Sequence, residues 1–218
     1  DILAAVEKVM ASAAYINGPD IQEFNQAVCQ TLNVPYHIPC GNGTDALIVA
    51  LMALDLKPGD EVITTPFTFI ATAETIALLG GVPVFVDIDP HTFLIDPYDI
   101  EKAITPKTKA IIPVHLFGQM ADMDAIMAIA REHKLKVIED SAQAFGAMQN
   151  GRYAGTIGHI GTMSYFPSKN LGAFGDAGGI VTHNEDLAQK LKMLANHGQK
   201  KKYEHHLIGV NSRMDTLQ

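Results

Sequence analysis

Short apolar runs rich in β-branched residues alternate with helical patterns along most of this chain, and few folds accept that alternation. The extended runs are Tyr36–Cys40, Glu61–Thr65, Pro83–Val86, Lys109–Val114 and Lys136–Glu139, the last ending at Asp140. Apolar residues at helical spacing mark Ile2–Ala14, Ile21–Leu32, Thr44–Leu54, Ala71–Leu79 and Asp122–His133, with a short helix from Asp96-Pro97 to Ile104. Strands that are apolar at consecutive positions bury both faces, which a mostly parallel sheet flanked by helices provides. Beyond Asp140 the pattern changes. Gly151–Gly161 reads as turns, Thr162–Phe166 and Gly179–Thr182 as strands, and Glu185–Asn196 as a last helix. Asp89-Pro90-His91-Thr92 and Thr105-Pro106-Lys107-Thr108 are turn chemistry. With no internal repeat or long linker, one α/β domain over 1–218 is expected.

The 218 residues suffice for one large domain with a substantial core. A net charge of −8, from 16 basic against 24 acidic residues, argues against a nucleic-acid binder. No apolar run approaches the ~20 residues a membrane-spanning helix needs. Cys29 and Cys40 lack metal or redox spacing and read as reduced thiols, so a cytoplasmic location is expected. The first residues stand inside a helical pattern and Met214–Gln218 resembles the first turn of a helix, so the chain is expected to be part of a longer polypeptide.

Four constellations carry chemistry. Lys169 lies in Ser164-Tyr-Phe-Pro-Ser-Lys169-Asn-Leu-Gly, 29 positions after Asp140. A lysine in a glycine-rich turn, with a carboxylate ending a buried strand, suits pyridoxal phosphate: the amine forms a Schiff base and the acid keeps the pyridine nitrogen protonated. Asp140 can instead serve as a helix cap. Gln143, three residues on, is placed to meet the cofactor's phenolic oxygen. Gly41-Asn-Gly43-Thr44-Asp45-Ala46, between a strand and a helix, suits a phosphate held at a helix start. It also matches a relaxed dinucleotide fingerprint. That reading needs an acid ending the second strand, where Thr64-Thr65-Pro66 stands, and so it loses. A loop that only packs remains open. Phe69, after a strand, can stack on a flat ring or pack in the core. Ser164 can give its hydroxyl to the phosphate, and glycines 172, 175, 178 and 179 would let backbone approach a ligand. The histidines form no metal spacing, and no metal is expected.

These motifs, with Gly59-Asp-Glu-Val-Ile63, Thr68-Phe-Ile-Ala-Thr72 and Gly209-Val-Asn-Ser-Arg-Met-Asp215, resemble the DegT/DnrJ/EryC1/StrS sugar aminotransferases across the whole chain. The resemblance implies the large domain of aminotransferase fold type I, with a C-terminal small domain outside the sequence, and pyridoxal 5′-phosphate as cofactor. By position it implies Lys169 as the Schiff-base residue, Asp140 on the pyridine nitrogen, Gln143 on the phenolic oxygen and Phe69 in the stack. The phosphate would be held by Thr44, the Asp45 backbone and Ser164. Asn211 would reach the phosphate of a neighbouring subunit, giving a homodimer with shared active sites, and Arg213 would contact an acidic group of donor or acceptor. Tyr15-Ile-Asn-Gly-Pro19 and Asn196-His-Gly-Gln199 further resemble members that aminate 3-keto UDP-N-acetylglucosaminuronate with L-glutamate for lipopolysaccharide O-antigen. A 4-keto hexose acceptor stays open, as does a non-catalytic regulator that binds the cofactor. Family dehydrases carry histidine in place of the lysine, and Lys169 argues against that outcome.

Overall fold

A computed structural model describes residues 2–218. Seven strands form the central sheet: β1 (Tyr36–Cys40), β2 (Glu61–Thr64), β3 (Val82–Phe85), β4 (Thr108–Ile111), β5 (Lys136–Asp140), β8 (Ile160–Ser164) and β9 (Gly178–Thr182). Their order is β1-β9-β8-β5-β4-β2-β3. Only β9 runs against the rest, pairing antiparallel with both β1 and β8. The carboxyl ends of the other six therefore open on one rim.

Each strand's two-residue alternation sorts its side chains between the faces. Val62, Ala110, Ile112, Ile138, Ile160 and Ile180 pack against helices α3 (Gly43–Ala53), α4 (Ala71–Leu78) and α7 (Glu185–Leu194). Ile63, Ile111 and Val137 face the other way, toward α5 (Pro97–Ala103) and α6 (Met123–Glu132). On that second face, α2 (Pro19–Leu32) covers the β8–β9 end through Ile21, Val28 and Leu32 against Met163 and Val181. The first helix, α1 (Ile2–Ser12), buries only Val9. Apolar nearly all round, α3 lies deep in the core, with Val49, Ala50 and Leu51 fully buried. Among the described residues no helix is long and apolar enough to cross a membrane.

Local chemistry starts the helices where it should. Asn42, Asp96, Asp122 and Asn184 each accept a first-turn N–H at α3, α5, α6 and α7, caps worth about 1 kcal/mol apiece. Several boundaries differ from those the pattern predicts. β4 ends at Ile111, short of Val114, because Pro113 has no N–H to continue the ladder and Val114 makes only a single bridge to Asp140. At the start of the expected turn region 151–161, Asn150 and Gly151, both at positive φ, close a hairpin that pairs the preceding β6 (Met148–Gln149) with β7 (Arg152–Tyr153). This is the Asn-Gly signal for a tight turn. A second small hairpin, β10 (Gln199–Lys201) with β11 (Glu204–His205), stands where the sequence suggests only loop. α7 ends at Leu194 and not Asn196, which instead bridges Asn211. Over Met214–Gln218, the segment that resembles the first turn of a helix, the Gln218 N–H closes one turn on Asp215 O at 3.1 Å.

Candidate active site

Asp140 closes β5 at the rim with its carboxylate almost wholly buried. Oδ2 accepts the Thr72 hydroxyl at 2.8 Å and Oδ1 accepts the Ala142 N–H at 3.2 Å. Thr72 sits in the first turn of α4, and its hydroxyl also meets that of Thr68 at 3.0 Å. Burial pushes the Asp140 carboxyl above the usual carboxylate range, against the pull of those two hydrogen bonds and of the Lys169 charge. A buried acid supplied only with a hydroxyl and an amide is costly to ionise and has capacity for one more strong donor.

Ser164 ends β8, and the chain then turns through Lys169, whose N–H donates to Phe166 O at 2.8 Å. Tyr165 anchors this turn at its root: its N–H reaches Ala177 O and its carbonyl takes the Ala173 N–H, both at 2.8 Å. Opposite, Asn42 caps α3 by accepting the Asp45 N–H at 2.8 Å. A Cβ on Gly43 would stand 2.8 Å from Ser164 Cβ, so glycine is what lets the helix start and the β8 end approach each other. Asp45 Oδ2 accepts the Ser212 hydroxyl at 2.6 Å, tying this loop to the segment 211–213.

Gly43, Thr44, Asp45, Phe69, Asp140, Gln143, Ser164 and Lys169 all line one cavity of about 660 Å³, a volume ordinary for a cofactor site. Phe69 is 68% exposed, so it is no core residue, and its ring borders the open space. Gln143 Oε1 accepts the Phe117 N–H at 2.8 Å, which leaves the donor end of its amide for a ligand.

Asn211 and Arg213 lie elsewhere. Asn211 is exposed and is not among the residues lining the cavity. Arg213 lines a separate cavity of about 360 Å³ with His37 and Lys192. The glycines after Lys169 correct another expectation. A Cβ on Gly178 would strike the Asn42 backbone at 2.4 Å, one on Gly179 the His37 ring at 2.1 Å, and one on Gly172 the Pro167 carbonyl at 2.4 Å. They admit the chain's own close packing, not a ligand.

Residue-by-residue reading missed Asn42, Thr72, and a buried His115–Glu139 pair under the floor. Asn42 had a signal, since asparagine three residues before Asp45 at a helix start is a capping pattern. Thr68 and Thr72 stand four apart, yet only the fold brings them to Asp140. The donor set suits pyridoxal phosphate. Thr44, Ser164 and the free N–H groups at the α3 start are there for a phosphate, the under-supplied Asp140 for a ring N–H, and Lys169 for an aldehyde.

The DegT/DnrJ/EryC1/StrS aminotransferase family matches residues 1–218. The chain is 53% identical over 218 residues to the pleiotropic regulatory protein of Geobacillus stearothermophilus, covering 100% of this chain and 59% of that protein. It is 51% identical over 215 residues to UDP-2-acetamido-2-deoxy-3-oxo-D-glucuronate aminotransferase of Pseudomonas aeruginosa, covering 99% of this chain and 60% of that one. The crystal structure of NtdA from Bacillus subtilis with bound cofactor PMP superposes with a TM-score of 0.94 at 44% identity, over 100% of this chain and 50% of that chain. The chain thus spans about three fifths of the length of the two sequence relatives. The expected mostly parallel α/β fold of aminotransferases is borne out, and the chain belongs to the DegT/DnrJ/EryC1/StrS aminotransferase family.

Proposed function

We propose that this chain is the cofactor-binding large domain of a pyridoxal-phosphate-dependent nucleotide-sugar aminotransferase, moving an amino group from L-glutamate to a keto sugar nucleotide. The observation that carries the reading is the convergence of Lys169, Asp140 and the Gly43–Asp45 helix start on one cavity. Family membership and the aminotransferase named among the relatives support it.

Bound pyridoxal phosphate would supply the electron sink that makes a C–H bond next to nitrogen acidic. Asp140 holds the proton of the ring nitrogen, and its buried carboxylate gains the donor it lacks. Thr44, Ser164 and the Gly43 and Thr44 N–H groups at the α3 start would grip the phosphate, while the expected Asp45 N–H is already given to Asn42. Gln143 donates from its free amide end to the phenolic oxygen, and Phe69 covers one face of the ring. Lys169 would hold the cofactor through its Nζ, and that amine, when not so engaged, would serve as the acid–base group for proton transfer at the substrate carbon.

The acceptor is proposed to be a 3-keto UDP-N-acetylglucosaminuronate, and the product to serve lipopolysaccharide O-antigen or another surface glycan in the cytoplasm. Relatedness to the Pseudomonas enzyme supports that choice. The assembly is proposed to be a homodimer in which Asn211 serves the partner's phosphate and Arg213 an acidic substrate group; the exposure of Asn211 outside its own cavity supports this. Borohydride reduction of the cofactor-loaded protein followed by peptide mapping is expected to label Lys169, and Lys169→Ala to abolish turnover. A label elsewhere, or continued conversion of glutamate to 2-oxoglutarate by the variant in the presence of ketosugar, sinks the reading. A panel of 3-keto and 4-keto UDP- and dTDP-sugars identifies the acceptor. If none is aminated by protein that still carries cofactor on Lys169, the non-catalytic regulator is the better description, as the name of the Geobacillus relative suggests.

A further inference from the structure

Beneath the cavity floor lies a polar cluster that the proposed chemistry does not use. Glu139 and His115 are both fully buried. The Glu139 carboxylate accepts the N–H groups of Gly155 at 2.9 Å, Ile157 at 2.7 Å and Gly158 at 2.5 Å, and meets His115 Nε2 at 2.8 Å. The other ring nitrogen decides the tautomer. Nδ1 lies 3.1 Å from the Ala121 N–H, which can only donate, so Nδ1 is bare and the ring proton sits on Nε2, facing Glu139.

Two links join this residue to the cavity, one through its backbone and one through its ring. The His115 main-chain N–H donates to Asp140 O at 3.0 Å, so a ring held in place also holds the backbone beside the residue that lines the floor. The Ala121 N–H bond to Nδ1 closes the loop 115–121 on itself. Inside that loop Phe117 and Gly118 both have positive φ, 56° and 83°, and this unusual backbone is what turns the Phe117 N–H onto Gln143 Oε1. A non-glycine residue holds such a conformation only where its surroundings fix it.

We propose that His115, locked between Glu139 and the Ala121 amide, is a positioning residue that aims Gln143 and steadies Asp140 at the cavity. This rests on the reading above that both residues face pyridoxal phosphate. Burial of a hydrogen-bonded polar cluster is a poor way to gain stability compared with apolar packing. What the cluster provides is a single geometry for the loop that carries the Phe117 amide.

Two variants separate positioning from packing. His115→Asn keeps an acceptor near the place of Nδ1 while giving up the Glu139 contact; His115→Phe gives up both. Pyridoxal phosphate is titrated into each purified apo-protein and the absorption band of the bound cofactor recorded. The Asn variant is expected to bind within about threefold of wild type with an unmoved band. The Phe variant is expected to bind about tenfold more weakly, the scale of one or two lost hydrogen bonds, with a displaced band. A purely structural role would lower the stability of both and leave the band of the folded fraction where it was. Wild-type binding and band in the Phe variant, or an Asn variant as impaired as Phe, overturns the proposal. Should the Phe variant not fold, ¹⁵N NMR of the wild-type histidine rings decides, the His115 signals being those missing from the Asn variant. A proton on Nδ1 overturns the proposal and a bare Nδ1 upholds it. Failure of the wild-type protein to bind the cofactor at Lys169 is a different result, and it sinks the functional reading.

Discussion

Asp140 and Lys169 stand out in the bare sequence because each is the wrong residue type for its surroundings: an acid closing an apolar strand and a lysine inside a glycine-rich turn. The fold turns that incongruity into energetics. A buried carboxylate with a raised pKa destabilises the empty protein at neutral pH, because the unfolded chain ionises freely there and the folded one does so at a cost. Asp140→Asn keeps an oxygen for the Ala142 N–H, and the Thr72 hydroxyl can turn to accept from the new amide. The apo-protein of this variant is therefore expected to be more stable than wild type by about 1–2 kcal/mol at neutral pH, with the gain shrinking as pH falls toward the carboxyl's own titration. Urea denaturation at two pH values checks this. Turnover should fall at least about a hundredfold, since the ring nitrogen loses its proton-holding partner. A variant less stable than wild type would mean that Asp140 is already paid for without cofactor. Gly43 gives a second residue-scale test: a methyl 2.8 Å from Ser164 Cβ must push the helix start off β8. Gly43→Ala is expected to weaken pyridoxal phosphate binding about tenfold or more, measured by absorbance titration. His115 and Glu139 were not legible at this scale, since their pairing spans 24 residues and neither stands in a telling local pattern.

Elements were legible wherever a segment's own pattern decides it, and blurred where a neighbour does. The strands from β1 to β5 and their helices follow from periodicity and caps. β4 stops early because of Pro113, α7 yields its last residues to a bridge with Asn211, and the short hairpins are set by turns. One junction joins three elements by a string of side chains: Asn25 of α2, His37 of β1 and Tyr165 just past β8. His37 Nδ1 meets Asn25 Oδ1 at 2.8 Å, and the Tyr165 hydroxyl meets Nε2 at 3.0 Å. Burial drives the His37 pKa down to about 3, so the ring is neutral in the fold over the usual pH range. In the unfolded chain it takes up a proton below its ordinary value of 6.5. Between those two values the unfolded state binds more protons, so the junction is fully effective above about pH 6.5 and weakens as pH falls. His159, whose pKa burial also lowers, acts in the same direction. The slope from His37 alone approaches about 1.4 kcal/mol per pH unit. His37→Gln is expected to be less stable than wild type near neutrality and to lose less on acidification. Denaturation midpoints at about pH 4.5, 5.5 and 6.5 test this, and parallel curves for the two proteins would refute it.

At the scale of the whole molecule, the single reversed strand β9 sets the layout. Lying between β1 and β8 and antiparallel to both, it leaves their carboxyl ends on the common rim, so the α3 start meets Ser164 although 121 positions separate Gly43 from it. Strand order cannot be read from periodicity. The candidate residues could nonetheless be picked out because each carries its chemistry in a short motif, and all eight line one cavity. Asn211 and Arg213 do not line that cavity, and in the proposed shared-site dimer Asn211 serves the partner's site instead. The proposed dimer makes a quantitative prediction. Lys169→Ala and Asn211→Ala homodimers should each be strongly impaired, because every site lacks one component. When the two proteins are unfolded, mixed in equal amounts and refolded, half of the dimers are mixed. Each mixed dimer holds one site with both residues intact and one with neither. Activity should then recover to about a quarter of wild type from two near-inactive parents. If mixing restores nothing while size-exclusion chromatography shows mixed dimers, Asn211 acts within its own subunit, and the shared-site arrangement is wrong.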